Sequence, residues 1–244
     1  MKKLMIAASA ALFATVGFCV ESANIVGYQT KAVRQYLSQQ VCTFDQIGAT
    51  GGALDIQNLI PVDANGDAVG GGEVTVQFIS SLGVLQTSYL YCLEEEMGDD
   101  AGWYDDDGNM ADYTFDAGEA FQLYSNSAVN FIYSGEVNMA ETDVPFRQYL
   151  SVQANIRPAS VDIQSIVPVD DNEELIGGGE VTIQFISPLG ILQTSYLYCL
   201  EEEMGEEAGW YDDDGNMADY TLAAGEGFKV YAGQAGYLRF PELN

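Results

Sequence analysis

The chain of 244 residues contains no histidine and few basic residues. Histidine is the commonest general base of enzymes and the commonest ligand of transition metals, so Ser-His-Asp triads, His-based zinc sites and haem ligation by histidine are excluded. Only eight Lys and Arg stand against 37 Asp and Glu, which gives a formal net charge of −29. Between Gln35 and Phe146 there are 19 carboxylates and not one Lys or Arg. Such a charge repels nucleic acid and anionic lipid, so cations and basic proteins are the expected partners. The alternative is that the charge only keeps the protein soluble.

Long apolar runs are also scarce, and the one near the start has the layout of a secretory signal peptide. Lys2 and Lys3 precede the mostly apolar stretch Leu4 to Val16, and small and polar residues follow up to Ser22. A basic start, a short apolar segment and a small-residue cleavage region are typical of such leaders. The run is too short to span a membrane comfortably, and no second stretch of about 18 apolar residues follows. We therefore predict a secreted or cell-surface protein without a membrane span.

A tandem duplication makes up most of the chain. The stretch Gly70 to Thr114 returns as Gly177 to Thr221, at a constant offset of 107 residues and with 40 of 45 positions identical. Self-similarity at a fixed period indicates two copies of one structural unit. We predict a signal peptide at 1–22, a first β module at 23–137, a linker at 138–144 and a second β module at 145–244. With 48% hydrophobic residues, each module can bury its own core.

Period-two alternation dominates both copies, and helical spacing is rare. In Glu73 to Ser80, Val74, Val76 and Phe78 share one face, and Leu85 to Leu93 alternates in the same way. The short connection between these runs predicts a β-hairpin. Six or so short strands per module predict an all-β fold of two tandem antiparallel sandwich or barrel-like modules, with a few short helical turns. Two of those turns are expected at Asp55 to Ile60 and Asp162 to Val167.

Three cysteines remain if the leader is removed: Cys42, Cys92 and Cys199. An odd number in an oxidising compartment leaves at least one thiol unpaired or joined to another chain. Cys92 and Cys199 occupy equivalent places in the two copies, and equivalent points of neighbouring domains are usually too far apart to bridge. The pattern favours two small buried strand residues for this pair, with Cys42 as the candidate for an intermolecular bridge.

Several short motifs carry a resemblance. They are Ser22-Ala23-Asn24-Ile25-Val26-Gly27-Tyr28, Gly102-Trp103 with Asp107-Gly108-Asn109, Ala117-Gly118-Glu119-Ala120-Phe121, and Ser134-Gly135-Glu136-Val137. In these the chain resembles uncharacterised exported β-repeat proteins of Planctomycetes, Verrucomicrobia and Lentisphaerae, over nearly its whole length after the leader. It departs from their pattern in its acidity and in the exchange of Ala120 for Gly227. The resemblance implies export and a β module, and nothing finer.

The densest acidic loop, Glu94 to Asn109, is a candidate calcium site. It places eight carboxylates in fourteen residues, which repel one another unless solvated or neutralised by a cation with oxygen ligands. Counted from Asp105, the glycine Gly108 stands at the fourth position of the loop instead of the sixth, which excludes an EF-hand loop. The alternative is a solvated hairpin in which Asp-Gly-Asn supplies the turn. The candidate metal ligands are Asp105, Asp107, Asn109 and Asp112, with their copies Asp212, Asp214, Asn216 and Asp219.

Aromatic residues beside the acidic loop are candidate platforms for glycans. Flat rings stack on sugars, although a lone tryptophan in a β domain is more often part of the core. The candidates are Trp103, Tyr104, Trp210 and Tyr211. Glycoside hydrolysis needs one acid with a raised pKa and one carboxylate partner, and here the acids are clustered in loops with no spacing that singles out a pair.

Taken together, these features predict an exported, non-enzymatic structural or adhesive protein of the cell surface or matrix. Its acidic loops are predicted to bind cations, with calcium as the candidate cofactor. Other surface or matrix proteins, or further copies of the same chain, are the expected partners. The alternative is a carbohydrate-binding protein that uses the Trp and Tyr platforms.

Overall fold

The computed structural model describes residues 25–33, 35–41, 54–80, 82–98, 100–115, 120–137, 139–187, 189–205 and 207–243. The predicted leader, Cys42 and Asn138 of the predicted linker lie outside these residues. Within them the fold is all-β and antiparallel, as the alternation predicted. The strands of the first half are β1 (Ile25–Val33), β2 (Tyr36–Val41), β3 (Leu54–Asp55), β4 (Pro61–Val62), β5 (Val74–Ile79), β6 (Leu85–Cys92), β7 (Gly102–Tyr104), β8 (Thr114–Phe115), β9 (Ala120–Ser125) and β10 (Val129–Val137).

The second half follows the same sequence of elements. Its strands are β11 (Thr142–Phe146), β12 (Tyr149–Ala154), β13 (Val161–Asp162), β14 (Val167–Val169), β15 (Val181–Ile186), β16 (Leu192–Cys199), β17 (Gly209–Tyr211), β18 (Thr221–Leu222), β19 (Gly227–Ala232) and β20 (Gly236–Phe240). The last three residues of the predicted linker, 142–144, therefore belong to strand β11. They are ordered by pairing with β20, where Val144 faces Leu238.

Sheet order repeats between the halves. A five-stranded sheet has the order β2-β9-β5-β6-β7 in the first half and β12-β19-β15-β16-β17 in the second. A three-stranded sheet has the order β1-β10-β4 in the first half and β11-β20-β14 in the second, and a small pair joins β3 to β8 and β13 to β18. The predicted hairpin is confirmed as β5–β6, whose register shifts between Phe78 and Ile79, and its copy β15–β16 shifts at Phe185 and Ile186.

Both predicted helical turns are present as 3₁₀ turns, Ile56–Asn58 and Ile163–Ser165. Each begins after an aspartate whose side chain accepts the backbone N–H two residues on, from Gln57 in the first half and from Gln164 in the second. This is the usual way in which an aspartate starts a helical turn. Two further short α-helices, α1 (Glu94–Met97) and α2 (Glu201–Met204), lie inside the acidic loops and were not predicted from the sequence.

Each half has its own apolar cluster. Inward residues of the five-stranded sheet alternate along the strands, so that Val74 and Val76 of β5 are fully buried between half-buried neighbours. The first cluster contains Val33, Ile56, Leu59, Val74, Val76, Tyr91, Trp103, Ala111, Phe115, Phe121, Leu123, Val129 and Phe131. The second contains the equivalent residues, including Ile163, Val181, Ile183, Tyr198, Trp210, Leu222 and Phe228. Burial of aromatic and branched side chains is the main stabilising contribution to such a fold.

The two halves touch through the edges of their five-stranded sheets. Strand β12 lies against β2 and β9, and β19 lies against β2. Ala120 of β9 packs against the apolar cluster of the second half. Arg147, in the turn between β11 and β12, donates from Nη2 to the carbonyl of Ile79 at 3.1 Å. A cleft therefore runs between the end of the β5–β6 hairpin and the β11–β12 turn.

A buried arginine ties the end of the chain to the second half. Arg157 is 1% exposed, and its Nη2 donates to the carbonyls of Ala140, Phe240 and Pro241. Three carbonyl oxygens from two separate segments, residue 140 and residues 240–241, thus share one guanidinium group. Among the residues that the structure describes, no helix is both long enough and apolar enough to cross a membrane.

Candidate functional site

The predicted tryptophan platforms are core residues. Trp103 and Trp210 are both 0% exposed, and each indole Nε1 donates to a buried carbonyl, that of Leu59 at 2.8 Å and that of Ile166 at 2.7 Å. A sugar ring must reach an exposed face to stack on it, and these rings present none. The platform interpretation of Trp103 and Trp210 is therefore wrong, because β7 and β17 direct the indoles into the apolar clusters.

Tyr104 and Tyr211 are buried as well, at 4% and 0% exposure. Their hydroxyl groups donate to the carbonyls of Asp100 and Glu207, each at 2.5 Å. These bonds close the acidic loop over the following strand in both halves. The two tyrosines hold the loop in place and offer no ring to a glycan, so this part of the platform prediction is also wrong.

One glutamine in each half holds the tryptophan in place. Neither glutamine was identified as a candidate from the sequence. In the first half, Gln57 Oε1 accepts the N–H of Trp103 at 2.9 Å, while Nε2 donates to the carbonyls of Trp103 and Ala111 at 3.1 and 2.8 Å. Gln164 makes the same three bonds in the second half, to Trp210 and Ala218. The glycine before each tryptophan leaves room for this amide, since a Cβ at Gly209 would lie 2.5 Å from Gln164 Oε1. The repeated Asp-Ile-Gln and Gly-Trp motifs are the sequence signal for this contact.

The predicted metal ligands Asp105 and Asn109 are joined to each other in a turn. Asp105 Oδ1 accepts the backbone N–H groups of Asp107 and Asn109 at 3.0 and 2.8 Å, and Oδ2 accepts from Asn109 Nδ2 at 3.1 Å. Asp212 makes the same bonds to Asp214 and Asn216 in the second copy. An aspartate that accepts backbone N–H groups two and four residues on fixes a tight turn without a ligand. This geometry matches the solvated-hairpin alternative.

The remaining predicted ligands point to solvent and do not converge with this turn. Asp107, Asp112, Asp214 and Asp219 are all exposed. In the described parts of the chain, no group of three or more Asp, Glu or Cys side chains lies close enough together to hold a metal ion. Calcium binding by these loops stays a prediction, without a formed ligand cluster to carry it.

The second acidic turn uses the same bonds as the first. Asp63 Oδ1 accepts the N–H groups of Asn65 and Asp67 at 2.7 and 3.0 Å, and in the second copy Asp170 Oδ1 accepts those of Asn172 and Glu174 at 2.8 and 3.0 Å. Four turns of one design therefore project from the two halves. In each turn one aspartate stabilises the backbone through these hydrogen bonds.

One glutamate of each acidic loop also has a structural role. Glu96 Oε2 accepts the N–H groups of Leu93 and Gly71, each at 2.7 Å, which fixes the start of α1 against the neighbouring glycine turn. Glu203 does the same for Leu200 and Gly178. These N–H groups lower the pKa of Glu203, because they stabilise the ionised carboxylate.

Every carboxyl group whose pKa departs from its ordinary value in the described residues departs downward. Backbone N–H groups lower the pKa of Asp63, Asp105, Asp170 and Asp212, and the Arg239 side chain lowers that of Asp143 through hydrogen bonds of 2.8 and 2.9 Å. A general acid of a glycoside hydrolase needs the opposite shift. These six carboxyl groups, Glu203 included, therefore lack the property that such catalysis requires.

The two described cysteines are free thiols at equivalent strand positions. Cys199 is buried and Cys92 is half-buried. Burial raises the pKa of both, and the nearby Glu96 or Glu203 adds to the shift. A raised pKa keeps a thiol protonated and unreactive. Both cysteines lie on strands as predicted, but only Cys199 is buried, so the prediction of two buried residues is met in full by Cys199 alone.

Comparisons with protein-family models, with curated proteins and with solved structures found no match for this chain. The resemblance to exported β-repeat proteins therefore stays a prediction from short motifs.

Proposed function

We propose that this protein is an exported, non-enzymatic structural or adhesive component of the cell surface or matrix, which associates with further copies of itself. The sequence supports export through the predicted leader at 1–22. The repeated motifs support a scaffold, since Trp103, Gln57, Glu96 and their copies all serve to hold the backbone together. The alternative, a glycan-binding protein, depended on exposed rings of the two tryptophans and their neighbouring tyrosines, and these rings are buried.

The observation that carries the proposal is a pair of exposed apolar hairpin tips, one per half. These tips are Leu82, Val84 and Leu85 between β5 and β6, and Leu189, Ile191 and Leu192 between β15 and β16, all more than half exposed. Exposed apolar side chains that cluster are typical of contact surfaces. The first tip lies close to the second half, since a Cβ added at Gly83 would lie 3.5 Å from Leu150 Cδ2 of β12. Two such tips give each molecule two points of contact with its neighbours.

Charge opposes association, and cations relieve it. A net charge of −29 makes two copies repel each other at low salt. Divalent cations that gather around the exposed carboxylates of the four turns reduce this repulsion. The acidic loops and the apolar tips thus act together, with assembly favoured where divalent cations are abundant.

Sedimentation velocity of the purified protein tests the proposal. We expect reversible oligomers whose proportion rises with protein concentration and with calcium or magnesium. Replacement of four tip residues (Leu82→Ser, Val84→Ser, Leu189→Ser, Ile191→Ser) is expected to abolish them. The control Ile60→Ser with Leu175→Ser removes two exposed aliphatic side chains elsewhere and is expected to assemble like the parent. A parent protein that stays monomeric at every cation concentration overturns the proposal.

A further inference from the structure

The cleft between the halves has the size of a ligand site. Its volume is about 610 Å³, within the range of about 300–1,000 Å³ usual for small-molecule sites. Gln77 and Phe78 of β5 and Gln86 of β6 line one side. Arg147 and Gln153 line the other, on the β11–β12 hairpin. Both halves of the chain are needed to form it.

The charge of the lining differs from that of the molecule. No acidic residue is among the described residues that line the cleft, although the chain as a whole carries −29. Arg147 is the one charged residue of that lining, and it forms no ion pair with a described carboxylate. Arg147 disfavours a cation inside the cleft, and the field of the whole protein disfavours an anion that approaches it. A neutral ligand meets neither obstacle.

One buried acceptor of the lining has no hydrogen-bond partner, and exposed donors lie at the mouth of the cleft. Gln153 is 5% exposed, and its Nε2 donates to the carbonyl of Pro145 at 2.8 Å, while its buried Oε1 has no partner among the described residues. Oε1 is closed to solvent, so a ligand reaches it only when the Gln153 side chain turns toward the cleft. A buried acceptor without a partner costs free energy, so a donor that then reaches Oε1 gains more than it would at an exposed amide. The exposed side chains of Gln86 and Arg147 supply donors at the mouth.

The cleft also has an aromatic side. Phe78 and Tyr113 are half-buried, and their ring centroids lie 4.5 Å apart in a tilted arrangement. Both line the cleft, so each leaves part of a ring for a ligand with an apolar face. Amides, a guanidinium group and partly exposed rings side by side suit a ligand with hydroxyl groups at its edge and C–H groups on its face.

We propose that this cleft binds a neutral saccharide. A sugar hydroxyl donates to Gln153 Oε1 and accepts from Gln86 or Arg147, which no purely accepting or purely donating ligand does. The C–H face of the ring packs against Phe78 and Tyr113. This site is separate from the buried tryptophans and from the acidic loops, and it does not depend on self-association.

Isothermal titration calorimetry with cellobiose, maltose and N,N′-diacetylchitobiose as neutral probes tests the proposal. We expect the parent to bind at least one of them. Because a lost hydrogen bond costs about 0.5–1.5 kcal/mol, Gln86→Ala and Arg147→Gln are each expected to weaken binding by roughly three- to tenfold. The repeat supplies a matched control: Gln193 stands at the equivalent place of β16 and is not among the lining residues, so Gln193→Ala is expected to bind like the parent.

Three results overturn the proposal: no neutral disaccharide binds at millimolar concentration, Gln193→Ala weakens binding as much as Gln86→Ala does, or digalacturonic acid and chitobiose amine bind while the neutral sugars do not. Gln153→Met removes the unpaired oxygen and is expected to weaken binding further. Its thermal melt is recorded alongside, and if it fails to fold, the exposed Gln86 and Arg147 variants decide the matter. None of the tip residues replaced in the assembly test is among the described residues that line the cleft, and Leu189→Ser with Ile191→Ser alters only the tip of the second half, so failure of one proposal does not imply failure of the other.

Discussion

Single residues decide how the four acidic turns are made. Asp63 and Asp170 start equivalent turns with the same hydrogen bonds. The position three residues after each aspartate adopts a left-handed backbone, with φ of 90° at Gly66 and 66° at Glu173. Glycine adopts this conformation freely, whereas a residue with a Cβ is strained in it. The second copy has therefore kept the turn at a cost in backbone strain.

Substitutions at Glu173 and Gly66, the equivalent positions of the two turns, test whether the left-handed backbone is strained in the second copy. Glu173→Gly is expected to raise the free energy of unfolding by about 1 kcal/mol, because the relief of left-handed strain exceeds the added flexibility of the unfolded chain. Gly66→Ala is expected to lower it by a similar amount. Urea denaturation measures both. Glu173→Gln removes the charge and keeps the strain, so a gain as large as that of the glycine variant would show that charge and not backbone strain is responsible.

Some residues of the candidate site could be recognised from the sequence, but their roles could not. The repeat marked Trp103 and Asp105 as important, but identity between copies does not distinguish a ligand from a structural residue. Gln57 forms hydrogen bonds with residues that lie 46 and 54 positions later in the chain, and no local sequence pattern reveals contacts over such separations. Gln153 shares the same difficulty, since its cleft exists only where the two halves meet.

At the scale of elements, prediction succeeded where local chemistry decides. Alternation located β5, β6 and their copies, because the side-chain period of a strand is a short-range property. The two 3₁₀ turns were also predicted, and the aspartate that caps each of them acts over only two residues. The short helices α1 and α2 were missed because four residues are too few to show a helical period. Strand β11 was mistaken in part for a linker, since its pairing partner β20 lies almost 100 residues later.

The stability that the acidic turns contribute to the fold is expected to depend on pH. Backbone and side-chain N–H groups of Asn109, and their equivalents at Asn216, hold the pKa of Asp105 and Asp212 below the ordinary value of 3.8. A carboxyl group with a lower pKa in the folded state stabilises the fold above its unfolded pKa, and this contribution disappears as the pH falls through the folded pKa. The double variant Asp105→Asn with Asp212→Asn is therefore expected to lose less stability than the parent between pH 5 and pH 2.

Thermal melts across that range measure the difference, and the same loop offers the control. Asp107→Asn with Asp214→Asn removes the same number of charges from neighbouring exposed positions, whose carboxylates do not accept the turn hydrogen bonds. This control is expected to follow the parent. An equal flattening in both double variants would assign the effect to net charge and not to the turns.

At the scale of the whole molecule, the repeated sheets and the charge act against each other. Two apolar clusters stabilise the halves, while a charge of −29 opposes both the compact state and the approach of a second copy. The turns reduce this conflict by placing carboxylates where backbone N–H groups and solvent stabilise them. The described residues that line the cleft and those that form the apolar tips include no acidic residue, so contact is available there without a carboxylate in the lining or at the tip.

Thermal melts with different metal ions distinguish screening of the net charge from binding at a specific calcium site. Because Asp105 and Asp212 are engaged in turn hydrogen bonds and no described ligand cluster is formed, calcium and magnesium are expected to raise the melting temperature equally at equal concentration, relative to excess EDTA. Sodium chloride at matched ionic strength, about 0.15 M, separates simple screening from divalent neutralisation. A ligand at a hundredfold excess over its Kd stabilises the folded state by about 2.7 kcal/mol, which a melt detects. A large shift seen with calcium and not with magnesium would therefore contradict the turn interpretation and restore the acidic loops as a calcium site.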